Sequence, residues 1–175
     1  GDHRDLHSFP TRRSSDLFTP DGAWLVQSDA WNILLLPVDG SEFARYHVDD
    51  VAAGDAGMAL VGDRLMLASG SGFGIGSWLL SELSGDPART PLDIRGLDEE
   101  VTLSGMAQLG ASDHAALHTN RDDILLVDLA HERVDDTYEV QVDARGAEVV
   151  VAPSPDGTML AIGVGNRLTL LDVAP

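Results

Sequence analysis

Two histidines four residues apart, His114 and His118, are the residues whose spacing most resembles a metal-binding pair. The apolar residues around them follow the pattern of a strand, on which four residues span about 13 Å. That distance is too long for two ligands of one ion. His47 and His131 stand alone in the sequence, and no cysteine is present to supply a thiolate. We therefore expect no resident metal ion.

A glycine-rich stretch at residues 69–77 (SGSGFGIGS) raises the possibility of a phosphate-binding loop. Such a loop needs Gly-x-Gly-x-x-Gly or a Walker pattern at the start of a helix. The stretch has neither pattern, and it lies between two predicted strands. We interpret it as an enlarged loop. Since the sequence also has no Gly-x-Ser-x-Gly nucleophile motif, it predicts no catalytic residue and no cofactor.

The charge of the chain narrows the class of partner. The 175 residues include 11 arginines, no lysine and 29 acidic residues, which give a formal charge of −18. A chain this acidic is a poor candidate for binding nucleic acid, which requires basic residues at the phosphates. No apolar run reaches the roughly 18 residues that a membrane span needs. The 43% apolar content is that of a globular domain.

Internal repeats provide the framework for these residues. Residues 19–25 (TPDGAWL) match residues 154–160 (SPDGTML) at an offset of 135. Apolar runs end at Val38, Leu83, Leu129 and Val173, at spacings of 44 to 46 residues. Each unit contains several short strands joined by Pro, Asp and Gly turns. Repeats of 40–50 residues with several strands are typical of propeller blades.

The repeats predict an all-β fold, an incomplete β-propeller of about three and a half four-stranded antiparallel blades. The blades are expected at residues 18–48, 49–94, 95–139 and 140–175. Strands are named a to d from the central axis outward, and the chain is expected to begin at an a–b turn. The a strands are predicted near 57–61, 103–109 and 147–152, and the b strands near 23–28, 64–69, 114–119 and 158–163. The c strands are predicted near 32–38, 77–83, 123–129 and 167–173, and the d strands near 42–48, 88–94 and 133–139.

The last repeat, residues 154–163 (SPDGTMLAIG) followed by 167–173 (RLTLLDV), resembles the WD-repeat and YVTN-type propeller superfamily. Leu171-Asp172 and Val127-Asp128 stand where that family has Trp-Asp. The Gly-His dipeptide of typical WD repeats is absent, so the resemblance points to a divergent prokaryotic member. It implies a propeller with a binding role and transfers no catalytic residues.

Residues 1–17 (GDHRDLHSFPTRRSSDL) resemble the translation of a sequencing adapter at all seventeen positions. We expect this segment to be non-native and disordered, and we exclude it from functional reasoning. The native start of the chain, with any targeting signal, is then expected to be missing. Many bacterial propellers of the family that this chain resembles are extracytoplasmic, so the resemblance favours that location.

An acidic face is the candidate interaction surface. The d–a and b–c loops lie at one end of a propeller, opposite the a–b and c–d turns, where turn chemistry already explains the acids. The predicted face consists of Asp29, Asp49, Asp50, Asp55, Asp98, Glu99, Glu100, Asp122, Asp123 and Asp143, with Phe73 as an apolar anchor. It is interpreted either as a solvated surface or as a site for a cationic partner or divalent ion.

Three functional classes follow. The first is a non-catalytic propeller that binds a protein or a small-molecule ligand. The second is a propeller domain accessory to a missing catalytic domain, such as a prolyl-oligopeptidase-like hydrolase or a receptor-type kinase. The third is a piece of a propeller enzyme of the lactonase or quinoprotein type. The first class is favoured, and the third is disfavoured because the a-strand starts, where such an enzyme would need converging polar residues, carry a single acid. An open stack of blades leaves uncovered sheet faces, so we expect the chain to be marginally stable or to self-associate.

Overall fold

Four small antiparallel sheets, arranged as the blades of a β-propeller, make up the computed structural model. The structure describes residues 17–29, 32–47, 57–68, 74–85, 90–98, 100–141 and 149–173. In each sheet the strands neighbour one another in chain order, as the repeats predict. No helix among the described residues is long and apolar enough to cross a membrane.

The blades are defined by the following strands. Blade 1 contains β1 (Leu17–Phe18), β2 (Trp24–Asp29), β3 (Asn32–Pro37) and β4 (Ala44–His47). Blade 2 contains β5 (Met58–Val61), β6 (Arg64–Ala68), β7 (Ile75–Leu79) and β8 (Thr90–Leu92), with a 3-10 helix at Leu80–Gly85 between the last two. Blade 3 contains β9 (Leu103–Gln108), β10 (His114–Thr119), β11 (Asp123–Asp128) and β12 (Arg133–Glu139). Blade 4 contains β13 (Val149–Pro153), β14 (Met159–Val164) and β15 (Arg167–Asp172).

The a strands, β1, β5, β9 and β13, contact one another in succession and so place the blades in chain order around an axis. Between blades 2 and 3, the side-chain amide of Gln108 in β9 bonds both backbone groups of Leu60 in β5. Leu60 N–H donates to Gln108 Oε1 (2.9 Å), and Gln108 Nε2 donates to the Leu60 carbonyl (2.7 Å). At the outer rim, Arg95 and Arg133 form a parallel backbone bridge. Polar contacts therefore fix this interface at its inner and outer edges.

The sheets alternate with layers of apolar side chains. One core cluster joins blades 1, 2 and 3 and includes Ile33, Leu65, Leu117 and Val127. A second cluster joins blades 3 and 4 and includes Ile124, Leu126, Leu160 and Ile162. Because successive side chains of a strand point to opposite faces, β11 sends Leu125 and Val127 into the first cluster and its even-numbered neighbours into the second.

The repeated turn predicted from the sequence has the same geometry in the first and last blades. Ser154 N–H donates to the Met159 carbonyl (2.8 Å), and Met159 N–H donates to Ser154 Oγ (3.0 Å). Thr19 and Trp24 form the corresponding bonds at 2.9 and 3.1 Å. In both turns the aspartate accepts a hydrogen bond from the backbone N–H two residues later. The repeat at an offset of 135 is confirmed as a structural repeat.

A single hydrogen bond marks the end of the c strand in every blade. The residue after that strand donates its N–H to the carbonyl of the residue before the b strand, at 2.8 to 2.9 Å. The four donors and acceptors are Val38 and Ala23, Leu80 and Asp63, Leu129 and Asp113, and Val173 and Thr158. Three of the donors are the residues at which the sequence places the ends of the apolar runs, and only blade 2 departs.

The c strand of blade 2 was predicted wrongly at residues 77–83, since β7 spans Ile75–Leu79. The carboxylate of Asp63 accepts hydrogen bonds from the Ser81 hydroxyl and backbone N–H, and the chain turns there into the 3-10 helix. Leu83 is nevertheless buried (1% exposed). The apolar run therefore continues past the end of the strand, which is why the pattern misled.

The other predicted strands are confirmed with ends within two residues of those observed. Blade 1 differs in having an a strand, because Leu17 and Phe18 pair with Val26 and Leu25. The sequence placed the start of that blade one strand later, at the a–b turn. Leu17, the last residue of the segment expected to be disordered, lies in this strand, and residues 1–16 lie outside the described residues. Blade 4 has three strands among the residues described, in keeping with three and a half blades.

Candidate functional site

The loops of blade 3 bring part of the predicted acidic face together. Asp98 and Glu100 lie in the segment that leads into β9, and Asp122 and Asp123 lie where β10 turns into β11. Of the remaining predicted residues, Asp29 ends β2 and only its backbone is described. Asp49, Asp50, Asp55, Phe73, Glu99 and Asp143 lie outside the described residues.

Backbone hydrogen bonds join the two loops. Asn120 N–H donates to the Thr102 carbonyl (2.8 Å), and Thr102 N–H donates to the side-chain oxygen of Asn120 (3.1 Å). Thr119 Oγ1 accepts from the N–H groups of Arg121 and Asp123. Between these two residues, Asp122 has a positive φ of 62°. The loop backbone that carries the carboxylates is thus held by hydrogen bonds within the chain.

Arg121 is the cation of this site. Its guanidinium lies 2.9 Å from Asp98 Oδ2 and 3.8 Å from Glu100 Oε2, and all three side chains are largely exposed. The backbone N–H of Glu100 and then the hydrogen bond from Arg121 hold the pKa of Asp98 below its usual value. Asp98 therefore stays ionised at neutral pH. One arginine is shared between two carboxylates, and the next two residues of the chain add two more.

His118 lies beneath this loop with its side chain only 12% exposed. Its Nδ1 is 2.8 Å from Ser104 Oγ. Its Nε2 is buried without a hydrogen-bond partner, 4.0 Å from Asp122 Oδ1. Burial lowers the pKa of His118, and the opposing charges of Asp122 and Asp123 offset only part of that effect. The neutral imidazole is the form that this site favours.

A second polar cluster lies at the opposite end of blade 3, by the a–b and c–d turns. His114 begins β10 and pairs with Asp128 across the ladder. His114 Nε2 lies 3.4 Å from Asp135 Oδ2. One ligand atom from each of His114, Asp128 and Asp135 can be chosen so that all three lie within 4.8 Å of one another. His114 and His118 share a strand, and their imidazoles belong to different clusters, as the strand spacing predicts.

Asp128 is the buried member of this second cluster, with 7% of its side chain exposed. Its Oδ1 accepts from the His131 N–H at 3.0 Å, and its Oδ2 lies 2.7 Å from His131 Nδ1. Burial on its own would raise the pKa of Asp128, and it is the largest single influence. The hydrogen bonds from His131 and the charges of His131 and His114 together outweigh burial, so the net pKa of Asp128 is lowered. The carboxylate is held ionised and in one orientation.

Sequence reasoning missed this cluster because it treated His131 as isolated and Asp128 only as a family-like position. Antiparallel pairing of the predicted b and c strands could have placed Asp128 opposite His114. Asp135 could not have been found in this way, because it occupies a β-bulge. The partners of Leu126 and Val127 are Asp136 and Val134, and Asp135 is the extra residue between them.

Comparison with known proteins shows the fold alone. No protein-family model and no curated protein sequence matches the chain. The chain is similar to the crystal structure of the β-propeller domain of Cps50 (Swd1) from Myceliophteria thermophila. The TM-score is 0.65 at 13% identity, and the match covers 90% of this chain and 51% of that one.

The chain is also similar to the dihydro-heme d1 dehydrogenase NirN in complex with DHE. The TM-score is 0.52 at 18% identity, and the match covers 90% of this chain and 34% of that one. This chain therefore spans about half the length of the first structure and a third of the second. The likeness to the first structure supports a propeller.

Proposed function

We propose that this chain is a non-catalytic β-propeller scaffold of the divergent prokaryotic WD-repeat or YVTN type, which binds a cationic protein or ligand through the loop face of blade 3. The loop face is defined here by Asp98, Glu100, Asp122 and Asp123. The repeated turns, the four equivalent c-strand hydrogen bonds and the likeness to the Cps50 (Swd1) propeller domain support the repeat type.

The observation that carries the binding role is that two hydrogen-bonded loops bring together four carboxylates and one arginine. Arg121 reaches Asp98 and Glu100, so the loop face has a net charge of −3 from these five side chains. The Asn120 and Thr102 hydrogen bonds fix the backbone beneath it. A surface whose backbone is already ordered loses little conformational freedom on binding, and its charge attracts a cationic partner over roughly a Debye length.

A lysine-rich peptide is a suitable probe because it supplies cationic side chains in a flexible chain. Binding of a fluorescein-labelled decalysine peptide would be measured by fluorescence anisotropy. The test variant is Glu100→Gln/Asp122→Asn/Asp123→Asn. Asparagine is well tolerated at the positive φ of Asp122, and Asp98 is kept because it accepts a backbone hydrogen bond.

The matched control is Glu82→Gln/Asp113→Asn/Asp136→Asn, which removes the same charge outside the loop face: Glu82 and Asp113 lie at the opposite end of the blades, and Asp136 lies in the middle of β12. We expect the loop-face variant to bind the peptide about tenfold more weakly, from about 0.5 kcal/mol for each exposed charge pair. The control should change binding less than twofold, and added salt should weaken wild-type binding. Equal losses in the two variants would show that only net charge matters and would refute a site on the loop face.

A further inference from the structure

The second cluster of blade 3 is built by the pairing of three strands. His114 and Asp128 are opposite partners of β10 and β11, and Asp128 and Arg133 are opposite partners of β11 and β12. Opposite partners project from the same face of a sheet. The His114 imidazole, the buried Asp128 carboxylate and the Arg133 guanidinium therefore lie in one row across the three strands, at one end of the sheet.

The bulge in β12 adds a second carboxylate to that row. Since Asp135 is the extra residue of the bulge, its side chain is directed differently from that of a regular strand residue. Its two oxygens contact Arg133 Nη2 at 3.1 Å and His114 Nε2 at 3.4 Å. β-Bulges commonly serve to re-aim a side chain in this way.

We propose that His114, Asp128 and Asp135 bind a divalent transition-metal ion of the zinc class. Zinc is held by imidazole nitrogen and carboxylate oxygen at about 2.0 to 2.2 Å, which puts neighbouring ligand atoms of a tetrahedral site about 3.4 Å apart. The separation of 3.4 Å between His114 Nε2 and Asp135 Oδ2 equals that edge. All three ligand atoms lie within 4.8 Å of one another, and the side chains of His114 and Asp135 are partly exposed.

The surroundings of Asp128 resemble the outer shell of a metal site. Ligating carboxylates are usually held by further hydrogen bonds, and His131 supplies two contacts to this one, from its backbone N–H and from Nδ1. Three protein ligands leave one tetrahedral position open for water or for a partner's side chain. The inference does not rest on the loop face, which lies at the other end of the blade.

Arg133 is the competitor for this site. Its guanidinium lies 3.7 Å from Asp128 Oδ2 and 3.1 Å from Asp135 Oδ1, and its side chain is about half exposed. In the metal-free chain it balances the two carboxylates. Binding of an ion requires it to swing toward solvent, so its removal should strengthen metal binding.

The test is titration of the full chain, freed of metal, with zinc chloride in a calorimeter and with Co²⁺ followed by its visible absorption. Variants Asp135→Asn and His114→Ala should each lower zinc affinity by at least about tenfold, the size of effect seen when the surroundings of a metal site are disturbed. The controls Asp136→Asn and His47→Ala change an adjacent carboxylate and a distant imidazole, and they should leave affinity within twofold.

Arg133→Gln should raise zinc affinity severalfold, a gain that a misfolded variant cannot produce. The site is refuted if zinc affinity is the same in wild type, Asp135→Asn and His114→Ala, or if the two controls lose as much. Ca²⁺ binding as tight as that of zinc would also overturn it, because Ca²⁺ prefers six to eight oxygen ligands.

Discussion

The c strands of blades 3 and 4 have similar sequences and opposite environments. In β11 every residue from Ile124 to Asp128 is buried, whereas in β15 Leu168 and Leu170 are 70% and 61% exposed. Both strands are rich in leucine and end in aspartate, and both were predicted from the same pattern. The difference lies outside the strands.

Among the residues that the structure describes, blade 3 has a neighbour on each face, and blade 4 has one on a single face. The inner face of blade 4 buries Leu160 and Ile162 against blade 3. Its other face presents Val150 along with the two exposed leucines. A blade buries its apolar residues only where another sheet packs against it, so this face has the composition of an interface and the exposure of a surface.

The largest expected effect contrasts two leucines of these blades. Leu117 of β10 is fully buried and Leu170 of β15 is 61% exposed. Leu117→Ala should lower the free energy of unfolding by about 2 to 5 kcal/mol because it leaves a cavity. Leu170→Ala should lower it by less than about 0.5 kcal/mol. Urea denaturation followed by tryptophan fluorescence measures both, and a similar loss in the two variants would mean that the outer face of blade 4 is covered.

The next contrast uses the same glycine in the two equivalent turns. Gly157 and Gly22 have φ values of 72° and 68°, so alanine is strained at either, by about 1 to 2 kcal/mol. At Gly157 an added Cβ would also lie 2.8 Å from the Leu109 carbonyl oxygen, whereas at Gly22 it would meet nothing within 4 Å. Gly157→Ala should therefore cost about 1 to 3 kcal/mol more than Gly22→Ala.

Thermal or urea unfolding of the two alanine variants measures that difference. Because the backbone strain is shared, Gly22→Ala is the matched control. Equal destabilisation of the two variants would mean that the turn of blade 4 does not pack against Leu109 and Gly110 of blade 3.

A smaller effect concerns pH and His118 in blade 3. Its pKa in the folded chain lies below the ordinary 6.5 because the imidazole is buried. Between the folded and unfolded pKa values the unfolded chain binds the proton more readily, so stability falls as the pH is lowered below about 6.5, by at most about 1.4 kcal/mol per pH unit. His118→Gln should reduce this slope.

Urea denaturation of wild type and His118→Gln at intervals from pH 7.5 to pH 5.5 tests the prediction above the range in which carboxylates titrate. Identical slopes in the two proteins would contradict a depressed pKa. The chemical shifts of the His118 ring in the folded protein give an independent reading of the same titration.

The last prediction concerns self-association of the chain, and its two variants should leave the free energy of unfolding almost unchanged. Leu170→Gln removes apolar surface from the open face of blade 4, and Leu79→Gln does the same at a leucine of blade 2 that is 41% exposed. If the open face drives self-association, sedimentation velocity should show less oligomer for Leu170→Gln and no change for Leu79→Gln. If the wild-type protein is monomeric at all concentrations, the expected self-association through the open face of blade 4 is wrong.

Most of the fold could be predicted because the strands that pair within a propeller blade follow one another directly in the chain. Hairpins such as β13–β14 are specified by a turn with Pro, Asp and Gly between two apolar runs. Blade 2 was less predictable because a tertiary hydrogen bond from Ser81 to Asp63 ends its c strand inside an apolar run. The order of strands alone predicted that the four loop-face residues of blade 3 lie at the same end of the blade, because d–a and b–c loops share that end. The binding role and the residues of that face stay predictions.

The sequence by itself determined the repeat, the order of strands and the end of the sheet at which each loop lies, because turns and alternating patterns act over a few residues. Tertiary structure decided which apolar faces are covered, since the c strands of blades 3 and 4 have similar apolar patterns and different neighbours. It also decided that His114, Asp128 and Asp135 meet. That meeting depends on cross-strand register and on one bulged residue, and a shift of a single position would have turned Asp135 away.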